Sequence, residues 1–300
     1  MCDSITVPAP AKINLGLKVF PKRADGYHDI QSVFQTVCLF DEITVSLEGE
    51  KNTCRVECDA FPLPEENTFT AAYKAFCVLT GIDKGVHVSV KKRIPAGGGL
   101  GGGSSDASSF IQSLDNLFGT KLDFSSLNQL AGKVGSDVFF FTHALNADGR
   151  KRYSHFEPYA AYVEGRGELV RQIECRNDFS VVLVLPGVSV STKTAYGLVD
   201  REMEKCGFIQ GENPESIYRK KICDWNFVND FTVPVAREFA PVADALKKLK
   251  NSGALFADMS GSGSTVFGVF VNADDALKAK KLLEGDYVCL LYTSPSPRDS

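Results

Sequence analysis

The most informative stretch of the chain is a glycine-rich loop, Pro95-Ala-Gly-Gly-Gly-Leu-Gly-Gly-Gly-Ser-Ser-Asp106. Six of the seven residues from Gly97 to Gly103 are glycine. Glycine loses more chain entropy on folding than other residues and adds no side chain to a core, so such a run needs another reason. Backbone N–H groups that approach an anion at the start of a helix supply that reason. The loop therefore predicts a phosphate site; the simpler alternative is a flexible linker.

The residues on either side of the loop favour the phosphate site. Alternating polarity predicts a strand over 86–92 that runs directly into the loop. Helical spacing of apolar residues predicts a helix over 104–118, which Gly119 ends. A linker has no purpose between two such elements.

Two named phosphate motifs fit the loop poorly. No Lys-Ser or Lys-Thr closes it, which excludes a Walker A sequence. Gly97, Gly99 and Gly102 match the dinucleotide fingerprint, but in so glycine-rich a run the match is nearly automatic. That fingerprint also needs an acidic residue at the end of a second strand. Asp115 falls inside the predicted helix and Asp123 in a turn, so a dinucleotide oxidoreductase is a distant alternative.

Composition sets the class of protein. The 300 residues are 44% hydrophobic and 23% charged, as in an ordinary globular enzyme, and suffice for one large or two ordinary domains. The net charge of −4 argues against a nucleic-acid partner. The nine cysteines are scattered and form no Cys-x-x-Cys pair, which predicts reduced thiols in a cytoplasmic protein. No apolar run is long enough to cross a bilayer, which predicts no membrane partner. The four histidines have no metal-binding spacing, so no protein metal site is predicted.

The rest of the chain mixes strands and helices without a regular βα alternation. This order predicts an α+β fold in two lobes. Alternation predicts strands over 5–20, 33–40, 41–47, 179–185, 265–271 and 287–291. Helical spacing predicts helices over 67–80, 125–134, 193–205, 231–239, 242–251 and 273–283. A polar stretch, 142–157, separates the halves. Residues 292–300 are interpreted as a disordered tail, which is either a non-native or a truncated end.

Three polar residues outside the loop are candidates for chemistry. Lys12 and Asn14 share one face of the first strand, although a solvated face is the more ordinary interpretation of that pair alone. Asp137 follows Gly135-Ser136 and precedes an apolar run, Val138–Phe141. A carboxylate beside such packing needs a cationic partner, and a lysine on an interior strand is one candidate.

A second glycine turn, Ser260-Gly-Ser-Gly-Ser264, precedes a strand. Alone it indicates only a tight turn. In a chain that already has a phosphate loop, it indicates a second group of backbone amides near a transferred phosphoryl group.

These segments resemble the GHMP kinases. The family's three motifs are matched in order by Pro10-Ala-Lys-Ile-Asn-Leu-Gly-Leu17, by the glycine loop with Gly135-Ser-Asp137, and by Ser260–Ser264. Within the family, Arg23-Ala-Asp-Gly-Tyr-His-Asp-Ile30 and Gly165-Arg-Gly-Glu168 are similar to the branch that acts on a cytidine diphosphate ester of methylerythritol in the non-mevalonate isoprenoid pathway. The resemblance covers about residues 5–291.

The resemblance implies a two-lobed GHMP kinase fold with the active site in the cleft between the lobes. It implies residues 1–158 as an ATP-binding domain and 159–291 as a C-terminal domain. The implied reaction is ATP-dependent phosphorylation of a hydroxyl of a small-molecule substrate, with ATP and Mg²⁺ as cofactors. A kinase for another small alcohol and a non-catalytic nucleotide-binding sensor are the alternatives.

The resemblance also implies residue roles. Asp137 would deprotonate the acceptor hydroxyl, and Lys12 would pair with it and offset charge near the transferring group. Ser104 or Ser105 would lie closest to Mg²⁺ or phosphate oxygens, and Asn67 near the adenine. Tyr27 and His28 would bind cytosine by stacking and by a hydrogen bond, with Tyr196 on the second face. The ATP-binding set is Pro95, Ala96, Gly97, Gly98, Gly99, Leu100, Gly101, Gly102, Gly103, Ser104, Ser105 and Asn67, and the substrate-binding set is Asn14, Tyr27, His28, Tyr196, Gly261, Ser262 and Gly263.

The chain departs from the family pattern at two places. Phe139 stands where the family usually has proline, so a small shift of the helix start near Asp137 is expected. The segment between Phe141 and Gly165 is about a dozen residues longer than usual, which is inexpensive in a surface loop. A surface excursion over 146–156 is therefore expected.

Overall fold

The computed structural model describes residues 3–146 and 157–293. The described chain divides into two compact units that alternate along the sequence. The first unit contains residues up to Ala11, 39–96 and 101–157, and the second contains 12–38, 97–100 and the residues from Pro158 onward. The predicted α+β class is confirmed, since helices and two sheets occur together.

Strands β1 (Ser4–Lys22) and β2 (His28–Ser46) pair with each other and supply residues to both units. The long first strand was expected from the alternation over 5–20. The expectation of separate strands over 33–40 and 41–47 is wrong, because β2 is continuous. Asp41, the first residue of the second predicted strand, is buried within β2 and accepts hydrogen bonds from the backbone N–H groups of Arg93 and Ile94.

The first unit packs helices against a strand group. The second half of β2 pairs with β4 (Val86–Lys91), which pairs in parallel with β3 (Cys54–Cys58). The helices are α1 (Thr68–Thr80), α2 (Gly102–Phe118), α3 (Phe124–Val134) and α4 (Ser136–Asn146). Buried apolar residues of α1, α2 and α3 form one core with the strands, including Phe69, Phe76, Val88, Phe110, Leu114 and Leu127. Val138 of α4 packs in a second cluster with Ala107 and Ala131.

In the second unit, the first half of β2 pairs with β5 (Ala160–Gly165), which pairs with β6 (Leu169–Ile173). A four-stranded antiparallel sheet has the order β10-β7-β9-β8 and consists of β7 (Ser180–Leu185), β8 (Phe256–Met259), β9 (Val266–Phe270) and β10 (Val288–Thr293). The helices are α5 (Thr192–Cys206), α6 (Pro214–Tyr218), α7 (Thr232–Glu238), α8 (Ala240–Asn251) and α9 (Ala273–Leu283), with a 3₁₀ turn at Ile222–Asp224.

Four strands were not predicted, namely β3, β5, β6 and β8. All are only four to six residues long, and β3, β6 and β8 end the order of strands in their sheets. A short end strand has fewer buried positions, so its alternation is weak.

Two further boundaries differ from expectation. The stretch 142–157 was expected to be polar throughout, yet α4 continues to Asn146 with Thr142, Ala144 and Leu145 buried. Tyr292 and Thr293, expected in the tail, pair with Val181 and Ser180 in β10. The rest of the expected surface excursion, 147–156, and of the expected tail, 294–300, lies outside the described residues. Among those described, no helix combines the length and apolarity that crossing a bilayer requires.

Candidate active site

Lys12 and Asn14 form a buried polar pair on β1. Both side chains are buried, so the interpretation of a solvated strand face is wrong. Lys12 Nζ donates to Asn14 Oδ1 at 2.6 Å and lies 4.7 Å from the centre of the Phe34 ring. Asn14 Nδ2 in turn donates to Ser32 Oγ at 3.3 Å. Burial of a cation is costly, so packing alone does not explain a lysine at this position of the strand.

The first part of the glycine loop lies against this strand. The backbone N–H of Lys12 donates to the carbonyl of Leu100 at 3.0 Å. Gly97 and Gly99 have φ values of +67° and +77°, a region that favours glycine. A Cβ at Gly99 would lie 2.0 Å from the carbonyl oxygen of Ser260, so this position admits no side chain.

The second glycine turn meets the same loop. Ser260 Oγ donates to the carbonyl of Gly99 at 3.0 Å, and the Thr265 N–H donates to the carbonyl of Gly98 at 3.2 Å. A Cβ at Gly261 would lie 3.2 Å from Asn14 Oδ1 and 3.4 Å from Lys12 Nζ. Within the second unit, the structure therefore brings together the β1 pair, residues 97–100 and the turn over 260–264. Ser262 Oγ also lies 3.4 Å from Thr192 Oγ1, at the start of α5.

The loop continues in the first unit as the start of α2. The N-cap, Gly101, offers no side-chain hydrogen bond to the helix. At Gly102 a Cβ would meet Ile94 Cγ2 at 2.9 Å, whereas a Cβ at Gly103 would meet nothing within 4 Å. The fold therefore explains the glycine at position 102 but not the one at 103.

Ser105 lies in the same helical turn. Its Oγ is buried and has no hydrogen-bond partner within the described ranges. An uncapped helix start, an unexplained glycine and an unpaired hydroxyl fit a bound polyphosphate with its metal ion. Pro95 and Ala96 lead into the loop, and Ser104 precedes Ser105 on the helix.

A buried charge cluster lies beside the loop and was not predicted. Lys92 Nζ donates to Asp41 Oδ2 at 2.5 Å and to Asp106 Oδ2 at 2.6 Å. Burial raises the pKa of Asp106, and the positive charge of Lys92 opposes that effect. Because Asp41 also accepts from the backbone of Arg93 and Ile94, the cluster ties the residues before the loop to the helix after it. The sequence signal was a charged residue on each side of the glycine run.

Asp137 lies in the first turn of α4, half-buried, with Val138, Phe140 and Phe141 buried after it. The helix begins at Ser136 and includes Phe139, so phenylalanine in place of proline is compatible with a regular helix start. A carboxylate at this position interacts favourably with the helix dipole. Its pairing with Lys12 stays a prediction.

The predicted base-binding residues lie in the second unit. His28 Nε2 is 2.7 Å from Asp200 Oδ1, and a carboxylate can only accept, so Nε2 donates. The His28 ring stacks on Tyr196, with ring centres 4.8 Å apart and planes at 24°. Tyr27 is 57% exposed, and the guanidinium carbon of Arg166 lies 4.9 Å from the centre of its ring. Asp200 and Arg166 were not predicted as partners, and the binding of a base by these rings stays a prediction.

Three other polar residues that the sequence connected with nucleotides serve local structure. Asn67 caps α1: its Oδ1 accepts from Phe69 and Thr70, and its Nδ2 donates to Pro64. Its predicted place near adenine stays a prediction. Asp123 caps α3, and Asp115 accepts from Thr120 and Leu122. The two acidic residues considered for a dinucleotide fingerprint are therefore engaged with neighbouring residues.

Comparison with known proteins identifies the family and the fold. Residues 67–144 match the family described as GHMP kinases N terminal domain, and 219–285 match GHMP kinases C terminal. A solved structure of 4-(cytidine 5'-diphospho)-2C-methyl-D-erythritol kinase superposes with a TM-score of 0.76 at 29% identity, covering 96% of this chain and 98% of that one. Homoserine kinase from Cytophaga hutchinsonii superposes with a TM-score of 0.64 at 19% identity, with 98% and 95% covered, which shows the shared fold alone.

Sequence relatives are more specific. The 4-diphosphocytidyl-2-C-methyl-D-erythritol kinase of Treponema pallidum (strain Nichols) is 39% identical over 291 residues, which cover 94% of this chain and 95% of the relative. The enzyme of the same name from Thermodesulfovibrio yellowstonii is 35% identical over 299 residues, with 98% and 99% covered. The chain therefore belongs to the 4-diphosphocytidyl-2-C-methyl-D-erythritol kinase family of GHMP kinases.

Proposed function

We propose that this kinase transfers the terminal phosphoryl group of ATP to the 2-hydroxyl of 4-diphosphocytidyl-2-C-methyl-D-erythritol, in the non-mevalonate route to isoprenoid precursors. The observation that carries the proposal is that the Lys12–Asn14 pair, residues 97–100 and the turn over 260–264 lie together in one unit. The chain is also 39% identical to a 4-diphosphocytidyl-2-C-methyl-D-erythritol kinase.

The glycine segments supply the positioning that phosphoryl transfer needs. Free backbone N–H groups at the start of α2 would hold phosphate oxygens, and the open space beside Gly103 leaves room for them. The hydroxyls of Ser105 and of Ser104 beside it would lie toward phosphate or Mg²⁺. A bound Mg²⁺ would reduce the charge repulsion between the transferring group and an incoming hydroxyl.

Asp137 and Lys12 would carry the proton and charge changes. The substrate oxygen forms a bond to the terminal phosphorus while the bond from that phosphorus to ADP breaks, and the hydroxyl proton passes to the Asp137 carboxylate. Lys12, fixed by Asn14, offsets negative charge on the transferring group. Mg²⁺ and the active site in a cleft between lobes remain proposals that rest on the family resemblance.

The cytidine end of the substrate would be recognised by the residues around His28. In the neutral tautomer that donates from Nε2 to Asp200, Nδ1 of His28 would accept a hydrogen bond, which suits the amino group of cytosine. Tyr27 presents an exposed ring for stacking. Tyr196 holds the His28 ring from one side in the described structure, and its contact with the base is proposed.

The decisive measurement is ADP release in a coupled assay with the cytidylyl-methylerythritol substrate. We expect turnover by the wild type and a loss of about 10²–10⁴-fold in kcat for Asp137→Asn, the usual range for removal of a general base. Asp274→Asn is the matched control, because Asp274 is the second residue of an 11-residue helix, as is Asp137.

Each outcome has a distinct meaning. Wild-type inactivity with this substrate would contradict the substrate assignment, and activity with another alcohol that cytidine nucleotides do not inhibit would indicate a different GHMP kinase. ATP binding without ADP release from any alcohol would indicate a sensor. Near-normal turnover by Asp137→Asn would contradict the role of Asp137 alone.

A further inference from the structure

Asn229 is a buried amide that no motif of the site includes. It is 1% exposed and uses both of its side-chain functions. Its Nδ2 donates to the carbonyls of Met259 and Gly261, each at 2.8 Å, and its Oδ1 accepts from the N–H of Phe231 at 3.0 Å. One side chain therefore binds the backbone on both sides of Ser260.

The segment that carries Asn229 is attached to β1. The Leu17 N–H donates to the carbonyl of Val228, and the Asp230 N–H donates to the carbonyl of Leu17, both at 2.9 Å, as in parallel strands. Asp230 Oδ2 also accepts from the N–H of Val19 at 2.8 Å. Asn229 is thus fixed to the strand that carries Lys12 and Asn14.

The backbone that Asn229 holds is the part of the turn nearest to that pair. Gly261 has a φ of +56°, and a Cβ there would lie 3.2 Å from Asn14 Oδ1, 3.2 Å from the Gly99 carbonyl and 3.4 Å from Lys12 Nζ. A small displacement of Gly261 would therefore change the space beside the Lys12 ammonium. No side chain at position 261 fills that space, so the position of the turn depends on its hydrogen bonds, and the one to the Gly261 carbonyl comes from Asn229.

We propose that Asn229 is a positioning residue for phosphoryl transfer, which holds the Gly261 peptide at a fixed place beside the Lys12–Asn14 pair. This inference rests on the proposed function of that pair. Asn229 does not touch the reacting atoms; it links the strand that supplies the lysine to the turn that supplies backbone amides. Because a misplacement of about 1 Å can cost about 10²-fold in rate, the link is expected to act on kcat.

The test compares Asn229→Ala with Asn213→Ala in the full chain, at a temperature where thermal melts show each variant to be folded. Asn213→Ala is the matched control, since Asn213 also donates through Nδ2, to Tyr162, and accepts backbone N–H groups, of Glu215 and Ser216, but at the start of α6 rather than at the turn over 260–264. We expect Asn229→Ala to lower kcat by roughly 10²-fold with KM for ATP changed by less than about 3-fold, because positioning acts in the transition state. We expect Asn213→Ala to keep kcat within about 3-fold of the wild type.

Several results would overturn the inference. A folded Asn229→Ala with kcat within about 3-fold of the wild type would do so, and so would an equal loss of kcat in both variants, which would reflect general destabilisation. Should Asn229→Ala not fold, Asn229→Ser, which keeps one donor, is measured in the same way. Failure of both to fold would show a purely structural role. Inactivity of the wild type would instead contradict the proposed function, so the two failures are distinguishable.

Discussion

At the scale of single residues, Asp258 shows how burial changes a carboxyl group. It lies in β8, buried, and accepts hydrogen bonds from the Thr232 hydroxyl and from the N–H of Met259. Burial raises its pKa to about 7, although both hydrogen bonds favour the charged form. Desolvation therefore outweighs the two donors.

This shift predicts a pH-dependent stability difference between the wild type and Asp258→Asn. Between about pH 4 and pH 7 the folded state holds a proton that the unfolded state has released, so the free energy of unfolding falls as pH rises. Asparagine accepts the same hydrogen bonds without that proton. We expect the stability of Asp258→Asn relative to the wild type to increase by at least ~1.4 kcal/mol from pH 4 to pH 8, the value of one pKa unit.

Urea unfolding followed by the fluorescence of Trp225, the one tryptophan of the chain, measures this difference. Trp225 is buried and contacts Phe256 in β8, so it reports on the same sheet. The exposed Asp274→Asn serves as the control and should show no such trend. Parallel pH profiles for the wild type and Asp258→Asn would show that Asp258 ionises normally.

Among the site residues, the chemical types were predictable and the contacts were not. Lys12 and Asn14 were recognised on one face of a predicted strand, but their burial was not, because the alternation of β1 does not show that residues of β2, such as Phe34 and Ser32, cover the polar face. Likewise, nothing in the sequence near His28 indicates Asp200, which is 172 positions away.

At the scale of elements, the glycine loop and the start of α2 contain glycines whose presence has different explanations. Gly99 has a positive φ and lies against the Ser260 carbonyl, whereas Gly103 lies inside a helix with open space where a Cβ would be. The first glycine is required by the fold. The fold gives no reason for the second glycine, and the proposed phosphate at the helix start would supply one.

Replacing each of these glycines by alanine separates the two reasons. We expect Gly99→Ala to lose about 1–3 kcal/mol of stability, since its Cβ would overlap a backbone carbonyl. We expect Gly103→Ala to keep or gain up to about 1 kcal/mol, because alanine is the better helix former, and yet to raise KM for ATP. Urea unfolding and ATP-dependent kinetics measure both effects. Unchanged ATP kinetics in Gly103→Ala would remove the argument for phosphate at that amide.

Element boundaries were predictable where a local signal marks them. Asn67 and Gly81 bound α1 as a cap and a left-handed stop, and Gly119 ends α2 in the same way. The continuity of β2 was missed at Asp41, where the two predicted strands meet. The Asp41 carboxylate is paired with Lys92 and with two backbone donors about 50 residues away. Local periodicity does not indicate partners that are so distant in the sequence.

At the scale of the whole molecule, ligand binding provides a test that does not depend on turnover. A ligand that binds only the folded chain stabilises it by about 2.7 kcal/mol at 100 times its Kd. We expect a nonhydrolysable ATP analogue with Mg²⁺, and separately cytidine diphosphate, to raise the thermal midpoint, while NAD leaves it unchanged. Stabilisation by NAD and not by the ATP analogue would contradict the kinase assignment in favour of the dinucleotide alternative.

The division of the chain is also a property of the whole molecule. A boundary at residue 158 was predicted from the polar stretch before it and stays a prediction. The structure shows two compact units that exchange segments along the sequence, with 12–38 and 97–100 grouped with the C-terminal residues. The composition of the sequence does not reveal such an exchange, because β1 and β2 each keep the same strand pattern on both sides of the point where the strand passes from one unit to the other.

The amino-acid sequence by itself predicted a phosphate-binding loop and determined the mixed α+β class and the family, since glycine content, capping residues and short motifs are local properties. Only the tertiary structure decided which groups meet. It buried the Lys12–Asn14 pair, joined Lys92 to two carboxylates and placed Asn229 on the carbonyls of the second glycine turn. These contacts depend on strand pairing between distant residues, and the free energy that selects them comes from burial and hydrogen bonding in the folded chain.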